Sequence, residues 1–505
     1  MQLGFVIDHS KCIGCHACTV ACKSENDVPL GSFRTWVKYT EKGEFPTVRR
    51  SFAVLRCNQC SDAPCVTICP VSALAKRPDG IVDVNPKSCI GCKSCMHGCP
   101  YDALYINPDK GIAEKCHFCA HRTEIGLAPA CAVVCPTEAI VPGDFDDPQS
   151  VVSRMREEFN LTGRKEEAGT GPNVLYREAA PAGLDPNLTA TSGGYLWAQG
   201  PTGERLDAQD FDAREAVEAA EARARTTYDV PRSVAWGGKI TGYLFAKSLS
   251  AGVFPVAAYA AADGATPGLV PIGLALLFLA VTGLLLIADL KRPERFWRIL
   301  VHPNWDSWLA RGTFIIMAYG ALLTLWLAAH LAGWEIGTVL GTAGILATCI
   351  AGAATAAYTG WLFGQARGRV LWMKRGLWLH LLAQAALGGS ALLILLQPLL
   401  GWEDAATERL AGVLSLSLFA HLFMMCIESR LAPRDREREY ERAVRLVTHG
   451  PYARVHWLVG IGLGTGVPLA LIAVGLPIPA AACAVVGLWF AEHLFVRAGQ
   501  ALPIS

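Results

Sequence analysis

Sixteen of the 19 cysteines in this 505-residue chain lie within its first 135 residues, in four groups of four. Two groups have the spacing C-x2-C-x2-C-x3-C, and three groups end in Cys-Pro. This spacing is typical of iron–sulfur clusters, where three close thiolates bind one cluster and the fourth cysteine binds its neighbour. Sixteen thiolates are enough for four [4Fe-4S] clusters. The groups are Cys12, Cys15, Cys18 and Cys22; Cys57, Cys60, Cys65 and Cys69; Cys89, Cys92, Cys95 and Cys99; and Cys116, Cys119, Cys131 and Cys135.

Disulfides and structural zinc are the two other uses of paired cysteines. A disulfide framework requires an oxidising compartment and a small secreted chain. This sequence starts Met1-Gln2-Leu3, without a basic region followed by an apolar one. Zinc explains C-x2-C pairs, but it explains neither a repeat of three cysteines plus one nor the prolines that follow. We therefore predict that the N-terminal part binds clusters and carries electrons.

The second half of the chain is dominated by long apolar runs. Eight of them reach or approach the roughly 20 residues that cross a hydrocarbon core. Buried helices of a large water-soluble protein are the alternative, but eight such runs leave too little polar surface for a soluble fold. The sequence therefore predicts an all-α bundle of eight transmembrane helices over residues 240–505. The runs lie near residues 240–262, 267–290, 311–333, 338–364, 374–399, 407–430, 455–475 and 477–497.

Residues 151–239 separate the two halves and mix polar, charged, Gly and Pro residues. A stretch from Ala208 to Arg225 is compatible with a helix, whereas residues 173–200 show no sustained period. We predict that 151–239 is an extended linker that lies on another surface, between a cluster domain at 1–150 and the membrane domain. The net charge of +1 gives no indication of nucleic acid binding.

Basic residues are concentrated in the loops on one face of the predicted bundle. Eight spans place both ends of the bundle on the face that also carries the cluster domain, and we call this face the cluster side. The opposite loops offer only Arg409. The positive-inside rule therefore predicts a cytoplasmic cluster side, unless these residues dock a partner protein. They are Lys291, Arg292, Arg295, Arg298, Arg367, Arg369, Lys374, Arg375, Arg430, Arg434, Arg436, Arg438, Arg442 and Arg445.

Polar side chains within the spans are costly and are therefore candidate functional residues. Those of this chain fall in the cluster-side half of their helices, where a quinone would need hydrogen-bond donors and a proton route beside the electron donor. Each residue also has a simple alternative role at the interface, in snorkelling or in packing. Haem ligated by His380 and His421 competes with the quinone hypothesis, but no second histidine pair is evident at the opposite side. We predict that the quinone site is lined by some of the residues Lys247, Asp289, Tyr358, His380, His421 and Glu428.

The cysteine groups resemble the four-cluster ferredoxin subunits of the dimethyl sulfoxide reductase and polysulfide reductase type. The segments Asp289–Arg298 and Ser307–Gly312 resemble the NrfD-like eight-helix membrane anchor of the polysulfide reductase family. Such subunits are usually separate polypeptides, so the chain is similar to a natural fusion of the two. The resemblance implies an α+β ferredoxin-like domain followed by the helical bundle, and an anchor that generally carries no haem. The implied cluster ligands are Cys12, Cys15, Cys18 and Cys135; Cys116, Cys119, Cys131 and Cys22; Cys57, Cys60, Cys65 and Cys99; and Cys89, Cys92, Cys95 and Cys69.

The resemblance also implies a role in a membrane complex. No residue set here resembles a molybdopterin-binding subunit, so substrate chemistry would reside on a separate catalytic chain. We predict an inner-membrane subunit that passes electrons between that partner and the quinone pool and carries the quinone half-reaction. The alternative is a module of a multihaem-cytochrome or energy-converting complex. Exported relatives are common, but the basic cluster-side loops favour the cytoplasm.

Overall fold

The computed structural model describes residues 1–43, 46–191, 224–230, 235–261, 267–334, 338–400, 402 and 404–505. The N-terminal part is built from short strands and helices around the cysteine loops, and the C-terminal part is helical, which confirms the predicted fold class. The strands are β1 (Leu3–Asp8), β2 (Thr35–Lys42), β3 (Arg49–Arg56), β4 (Leu74–Lys76), β5 (Val82–Val84), β6 (Leu104–Ile106), β7 (Ala113–Lys115), β8 (Ile140–Asp144), β9 (Thr162–Gly163), β10 (Val174–Arg177), β11 (Thr189–Thr191) and β12 (Ala224–Tyr228). The helices of this part are Ala17–Glu25, Pro64–Thr67, Ser94–Gly98, Ala120–Thr123, Ala130–Val133, Val151–Glu158 and Pro181–Leu184.

Two four-stranded sheets and two hairpins carry the cysteine loops. The first sheet has the order β8-β1-β10-β9, and Phe5, Val6 and Ile7 of β1 are fully buried in it. The second sheet has the order β11-β12-β2-β3, in which β2 and β3 pair antiparallel over their whole length. The hairpins β4-β5 and β6-β7 lie beside the second and third cysteine groups.

The sheets of the N-terminal part include strands that follow residue 150, within the predicted linker. Strand β10 lies inside the first sheet and pairs parallel with β1, and β12 pairs with β2. Residues 174–177 and 189–191 are therefore strands rather than irregular chain. These strands are too short to produce a visible period, and their partners are distant in sequence. Most of the stretch Ala208–Arg225 lies outside the described residues, and its last two residues belong to β12.

Among the described residues of the C-terminal part are eight helices long and apolar enough to cross a membrane, as predicted. The first and fifth are the most buried, and their backbones approach closely: a Cβ on Gly252 would lie 1.8 Å from the carbonyl oxygen of Ala385. Small residues permit such close packing of membrane helices. In order, the helices are Gly238–Ala261, Leu269–Asp289, Trp308–Leu331, Thr338–Gly364, Leu377–Leu395, Asp404–Cys426, Val455–Ala473 and Pro477–Ala498.

Shorter helical segments lie between these spans. The seventh membrane helix is unusual because residues Val455–Gly466 form a π-helix, which continues as the α-helix Val467–Ala473. A π-helix is rare and is often found at functional sites. The short segments are Pro293–Arg295, Arg298–Val301, Val370–Met373, Gln397–Leu400, Glu428–Leu431 and the longer amphipathic helix Glu437–Thr448.

The loop between the second and third membrane helices docks on the cluster loops. The guanidinium of Arg295 donates to the carbonyl oxygens of Pro86 and Cys89 at 2.8 and 3.0 Å. The hydroxyl of Ser307 donates to the carbonyl oxygen of Ile68 at 2.8 Å. Both segments that carry the family resemblance therefore take part in joining the two parts of the chain. Several basic loop residues, including Arg295, serve this contact.

Candidate functional site

The four cysteine groups share a backbone turn. In each group, the residue two positions after the first cysteine has a left-handed backbone: Gly14 (φ 71°), Gln59 (46°), Gly91 (69°) and Phe118 (61°). Glycine adopts this conformation without strain, and other residues adopt it only when the surroundings hold them there. The turn wraps the chain so that closely spaced cysteines face the same side of the loop. The local fold is thus one that cluster binding requires.

The Cys-Pro steps form a second recurring turn. The backbone N–H of Ala73 donates to the Sγ atom of Cys69 at 3.2 Å, and that of Ala139 donates to Cys135 at the same distance. In both cases the donor lies four residues after the cysteine. Such N–H donors stabilise negative charge on sulfur. The same N–H groups could therefore donate to the sulfur of a cluster-bound cysteine.

Cysteines from different groups meet in space. One cavity is lined by Cys69, Cys89, Cys92 and Cys95, and another by Cys22, Cys116, Cys119 and Cys131. Cys12 also interacts electrostatically with Cys135, and Cys60 and Cys65 both interact electrostatically with Cys99. These combinations are the ones that the resemblance implies, and the full assignment of ligands to clusters stays a prediction.

The donor set fits a cluster better than a disulfide or a single zinc ion. All 19 cysteines are free thiols. Among the described residues, no three Cys, His, Asp or Glu side chains converge on one metal position. Burial raises the pKa of Cys18 to about 11 and that of Cys92 to about 12. These thiols therefore need a positively charged centre to become thiolates, as the iron of a cluster supplies.

Two buried cations accompany the thiols. Arg56 is fully buried, and its Nη1 atom donates to the Sγ atom of Cys131 at 3.2 Å. Burial acts to lower the pKa of Arg56, but the neighbouring thiols outweigh it and raise this pKa. Lys115 is likewise buried, close to Cys57 and Cys65, and its pKa is raised against the effect of burial. Both cations can balance the negative charge of bound clusters.

A large apolar cavity lies where the cluster domain meets the membrane domain. Its volume is about 260 Å³, and its wall includes Cys92 from the third cysteine group together with Asp289 and Tyr358 from the membrane helices. The Nζ atom of Lys93 lies 2.7 Å from Oδ2 of Asp289. Because two of the predicted quinone residues, Asp289 and Tyr358, line the cavity, we refer to it by that hypothesis as the quinone cavity. Its remaining walls are mostly apolar, and they include Trp236, Ile240, Tyr243, Leu286, Ile299, Thr313, Ile316, Leu362 and Phe363.

The structure places the other predicted quinone residues elsewhere. His380, His421 and Glu428 line a second cavity of about 50 Å³, between the fifth, sixth, seventh and eighth membrane helices. We call this the histidine cavity. Asp289 and Tyr358 belong to the second and fourth membrane helices, whereas the histidines belong to the fifth and sixth, so these predicted residues line two cavities rather than one. The titratable side chains of the histidine cavity are Lys374, His380, His421, Glu428, His456 and Glu492.

A chain of polar contacts crosses the histidine cavity. The Nζ atom of Lys374 donates to Oε1 of Glu428 at 2.6 Å and lies 3.3 Å from Nδ1 of His380. Nε2 of His380 lies 2.7 Å from Nδ1 of His421. An iron ion between two histidines would need about 2 Å to each nitrogen on opposite sides. The hydrogen-bonded pair therefore does not have the spacing of haem ligands.

Lys247 lies between the two cavities, fully buried in the first membrane helix. Its Nζ atom donates to the carbonyl oxygen of Ala356 at 2.8 Å and to the hydroxyl of Thr359 at 2.9 Å. The hydroxyl of Thr359 lies 3.1 Å from that of Tyr243, which in turn lies 2.5 Å from that of Tyr358. Polar contacts thus connect Lys247 to the wall of the quinone cavity.

Several of these residues could not be identified from the sequence. Tyr243, Thr359 and Lys93 carry no local pattern, because hydroxyl groups and a loop lysine are common in membrane proteins and ferredoxins. Glu492 was visible as a carboxylate within an apolar run, but nothing indicated its partner. The structure shows that Ser248 donates to Oε1 of Glu492 at 2.8 Å.

Comparison with known proteins identifies both parts. Residues 48–145 match a family model described as a 4Fe-4S dicluster domain, and residues 227–503 match one described as polysulphide reductase, NrfD. The sequence is 39% identical over 187 residues to a component of the polysulfide reductase of Wolinella succinogenes, which covers 36% of this chain and 98% of that protein. It is 41% identical over 202 residues to a component of the tetrathionate reductase of Salmonella typhimurium, covering 39% and 80%. It is 38% identical over 224 residues to the arsenate respiratory reductase iron-sulfur subunit ArrB of a Shewanella species, covering 35% and 96%.

These matches confirm three of the predictions. The chain joins an iron–sulfur part and an NrfD part in one polypeptide, as the resemblance implied. It binds 4Fe-4S clusters, and it is a multi-pass membrane protein, with eight helices in the described part of the chain that are long and apolar enough to span a membrane. Each of the three relatives matches little more than a third of the chain.

Proposed function

The protein belongs to the polysulphide reductase NrfD family, whose model spans more than half of it, and on that premise we propose that it carries electrons between a separate catalytic subunit and a membrane quinone. Four [4Fe-4S] clusters would form the path, held by the sixteen cysteines in the sets that the resemblance implies. The relatives are named as components of polysulfide, tetrathionate and arsenate reductases. Their names support a catalytic partner on another chain, which we take to contain molybdopterin.

One observation carries the quinone assignment. Cys92, a predicted cluster ligand, and Asp289, a membrane residue, line the same cavity of about 260 Å³. Small-molecule sites are mostly apolar clefts of about 300–1,000 Å³ with a few polar groups that orient the ligand. The cavity lies just below that range, which suits a single ring rather than a large ligand. A quinone there would lie directly beside an electron donor.

The residues of the cavity have separate tasks in this proposal. The clusters supply one-electron transfer when bound. Apolar walls exclude water. One hydroxyl of the Tyr243–Tyr358 pair donates to the other, and the remaining hydroxyl hydrogen can be donated to a quinone carbonyl group. Asp289 is held by its ion pair with Lys93, which ties the cavity to the loop of the third cysteine group. The same ion pair fixes the distance between the cluster loop and the quinone.

The test compares two electron acceptors in purified full-length protein with its clusters reduced. Asp289→Asn should lower the rate of quinone reduction about tenfold, because it weakens the ion pair that positions the ring. Reduction of ferricyanide by the clusters should stay unchanged. Asp404→Asn, at the opposite end of the membrane domain, is the matched control. Equal quinone activity in Asp289→Asn and the control would remove Asp289 from the site.

We also propose that the partner is molybdopterin-dependent. The experiment is purification of the intact complex from native membranes, followed by metal analysis. Molybdenum or tungsten bound by a large co-purifying subunit would support the proposal. Covalently bound haem of the c type on that subunit, without molybdenum, would instead indicate a cytochrome assembly.

The cluster side is proposed to face the cytoplasm, in the inner membrane. The excess of basic residues in the cluster-side loops supports this orientation, although Arg295 and its neighbours also have a docking role. Alkaline phosphatase fused near Pro477 should be active, whereas a fusion after Ser505 should be inactive. The opposite pattern would place the cluster domain outside the cytoplasm and leave the quinone assignment unaffected.

A further inference from the structure

The histidine cavity has the size and lining of a site for water and protons rather than for a second quinone. Its volume is about 50 Å³, against about 260 Å³ for the quinone cavity. One buried water needs roughly 10–15 Å³ of such space and two to four polar partners. Six titratable side chains from different elements lie on its wall. The cavity is therefore suited to a few waters held among groups that exchange protons.

An unpartnered carboxylate oxygen points to water in this cavity. Glu492 is 2% exposed, and its Oε1 atom accepts a hydrogen bond from Ser248. Its Oε2 atom has no hydrogen-bond partner within the described part of the chain. A buried polar atom without a partner is costly, so an ordered water is the expected partner. Because Glu492 lines the histidine cavity, that water would lie in it.

Glu492 also faces the chain of contacts that leads to the quinone cavity. It interacts electrostatically with Lys247, although the two side chains form no direct ion pair. From Lys247 the contacts run through Thr359 to the Tyr243–Tyr358 pair, each step at 3.1 Å or less. Each of these hydroxyl groups can accept one proton and donate another. The gap between Glu492 and Lys247 interrupts this route, because only Glu492 lines the histidine cavity, and the relay needs a water between the two side chains to bridge it.

The other end of the cavity lies at the cluster side. Lys374 follows the short helix Val370–Met373, and Glu428 begins the short helix Glu428–Leu431. Val370–Met373 lies between the fourth and fifth membrane helices, and Glu428–Leu431 follows the sixth, in both cases at the cluster side. The adjacent backbone N–H of Gly368 donates to the carbonyl oxygen of His97 in the cluster domain at 2.9 Å. Protons would therefore enter from the same face as the electrons.

We propose that the histidine cavity is a proton-loading site that supplies the quinone cavity through Glu492, Lys247, Thr359 and the Tyr243–Tyr358 pair. The inference rests on the proposed quinone function. Reduction of one quinone consumes two electrons, which arrive through the cluster domain, and two protons, which arrive by this route. For each proton, the tyrosine pair donates to the quinone oxygen, Lys247 reprotonates the pair through Thr359, and Glu492 reprotonates Lys247 through water. Lys374, His380, His421, His456 and Glu428 then return the proton to Glu492 from cluster-side water.

The decisive variant is Glu492→Gln, with Glu408→Gln as the matched control. Glu408 is exposed near the opposite end of the membrane domain. Quinone reduction should fall about tenfold or more in Glu492→Gln, as expected for loss of a proton-transfer group. The KM for quinone should stay unchanged, and the pH dependence of the rate should change. Reduction of ferricyanide, which takes up no proton, should be equal in both variants.

A second variant keeps the test independent of local packing. His421→Gln removes one titratable group from the cavity wall and should slow quinone reduction in the same way, while Glu492→Asp should restore part of the lost rate. Wild-type quinone turnover and pH profile in both Glu492→Gln and His421→Gln would overturn the relay. If Asp289→Asn then still impairs turnover, the quinone function stands without the relay. If no variant impairs it, the protein reduces quinone at a site other than the quinone cavity, and both the relay and that placement fail.

Discussion

The cluster domain and the membrane domain bring their functional residues together in opposite ways. Cys89, Cys92 and Cys95 lie within seven residues, and the turn at Gly91 directs them to one cavity. In the membrane domain, Ser248 and Glu492 bond across 244 residues of sequence, on two different helices. A short loop can encode a cluster site locally, whereas a helix presents one residue per turn to a given neighbour. Membrane sites must therefore be assembled from several helices.

The largest expected effect comes from substituting the cysteine that lines the cavity shared by the two domains. Cys92→Ala should remove one cluster, so iron should fall by about four atoms per chain. Quinone reduction should fall about a hundredfold, because the electron donor beside the quinone cavity is lost. The measurements are iron content and turnover with both acceptors.

The control for that experiment is Cys426→Ala. Cys426 is an exposed thiol of the sixth membrane helix and belongs to none of the four groups. It should leave both iron content and turnover unchanged. Full iron content in Cys92→Ala would contradict its role as a ligand and, with it, the placement of a cluster beside the quinone cavity.

A smaller effect is expected where packing positions a cavity residue. A Cβ atom on Gly312 would lie 2.0 Å from Cε2 of Tyr358. Gly312→Ala should therefore displace the Tyr358 ring, lower quinone reduction about tenfold, and cost roughly 1–3 kcal/mol of stability through overpacking. Iron content should be normal. Gly273→Ala, where a new methyl group meets no atom within 4 Å, is the control. Identical turnover in the two variants would show that Tyr358 is dispensable.

The smallest effect is expected at a buried lysine where the domains meet. Lys165 is 9% exposed, and burial lowers its pKa to about 8, with Arg164 and Arg436 acting in the same direction and Glu439 opposing them. The pKa of an unfolded lysine is about 10.4, so between these two values the unfolded state binds the extra proton. The stability of the protein should therefore rise with pH across this window. The destabilisation caused by burying Lys165 should be largest below about pH 8.

Lys165→Met removes this cost. Its melting temperature should exceed that of the wild type by a few degrees near neutral pH, and the difference should shrink as the pH rises toward about 10. Thermal unfolding followed by cluster absorbance measures both values. Lys87→Met, at an exposed site, should show no such trend. A difference that is the same at every pH would contradict the burial of a charged Lys165.

Sequence patterns predicted the repeated features of both domains well. The four cysteine groups and the eight spans each depend on a local pattern, spacing in one case and apolar length in the other. Asp289 and Tyr358 were predicted as quinone residues from their depth, and both line the quinone cavity. The prediction failed for β10, whose four residues acquire their strand identity by pairing with β1. It also did not indicate that His380 and Asp289 line different cavities.

The sequence by itself determined the cofactor class and the membrane location. Thiolate spacing fits the dimensions of a cluster, and helix length must match the thickness of the hydrocarbon core. Only the tertiary structure decided that Cys92 and Asp289 share a cavity and that His380 lies in another. Depth in the membrane follows from position along a helix, but the neighbours of a side chain depend on how the helices rotate and pack around it. A single sequence carries no direct record of that packing.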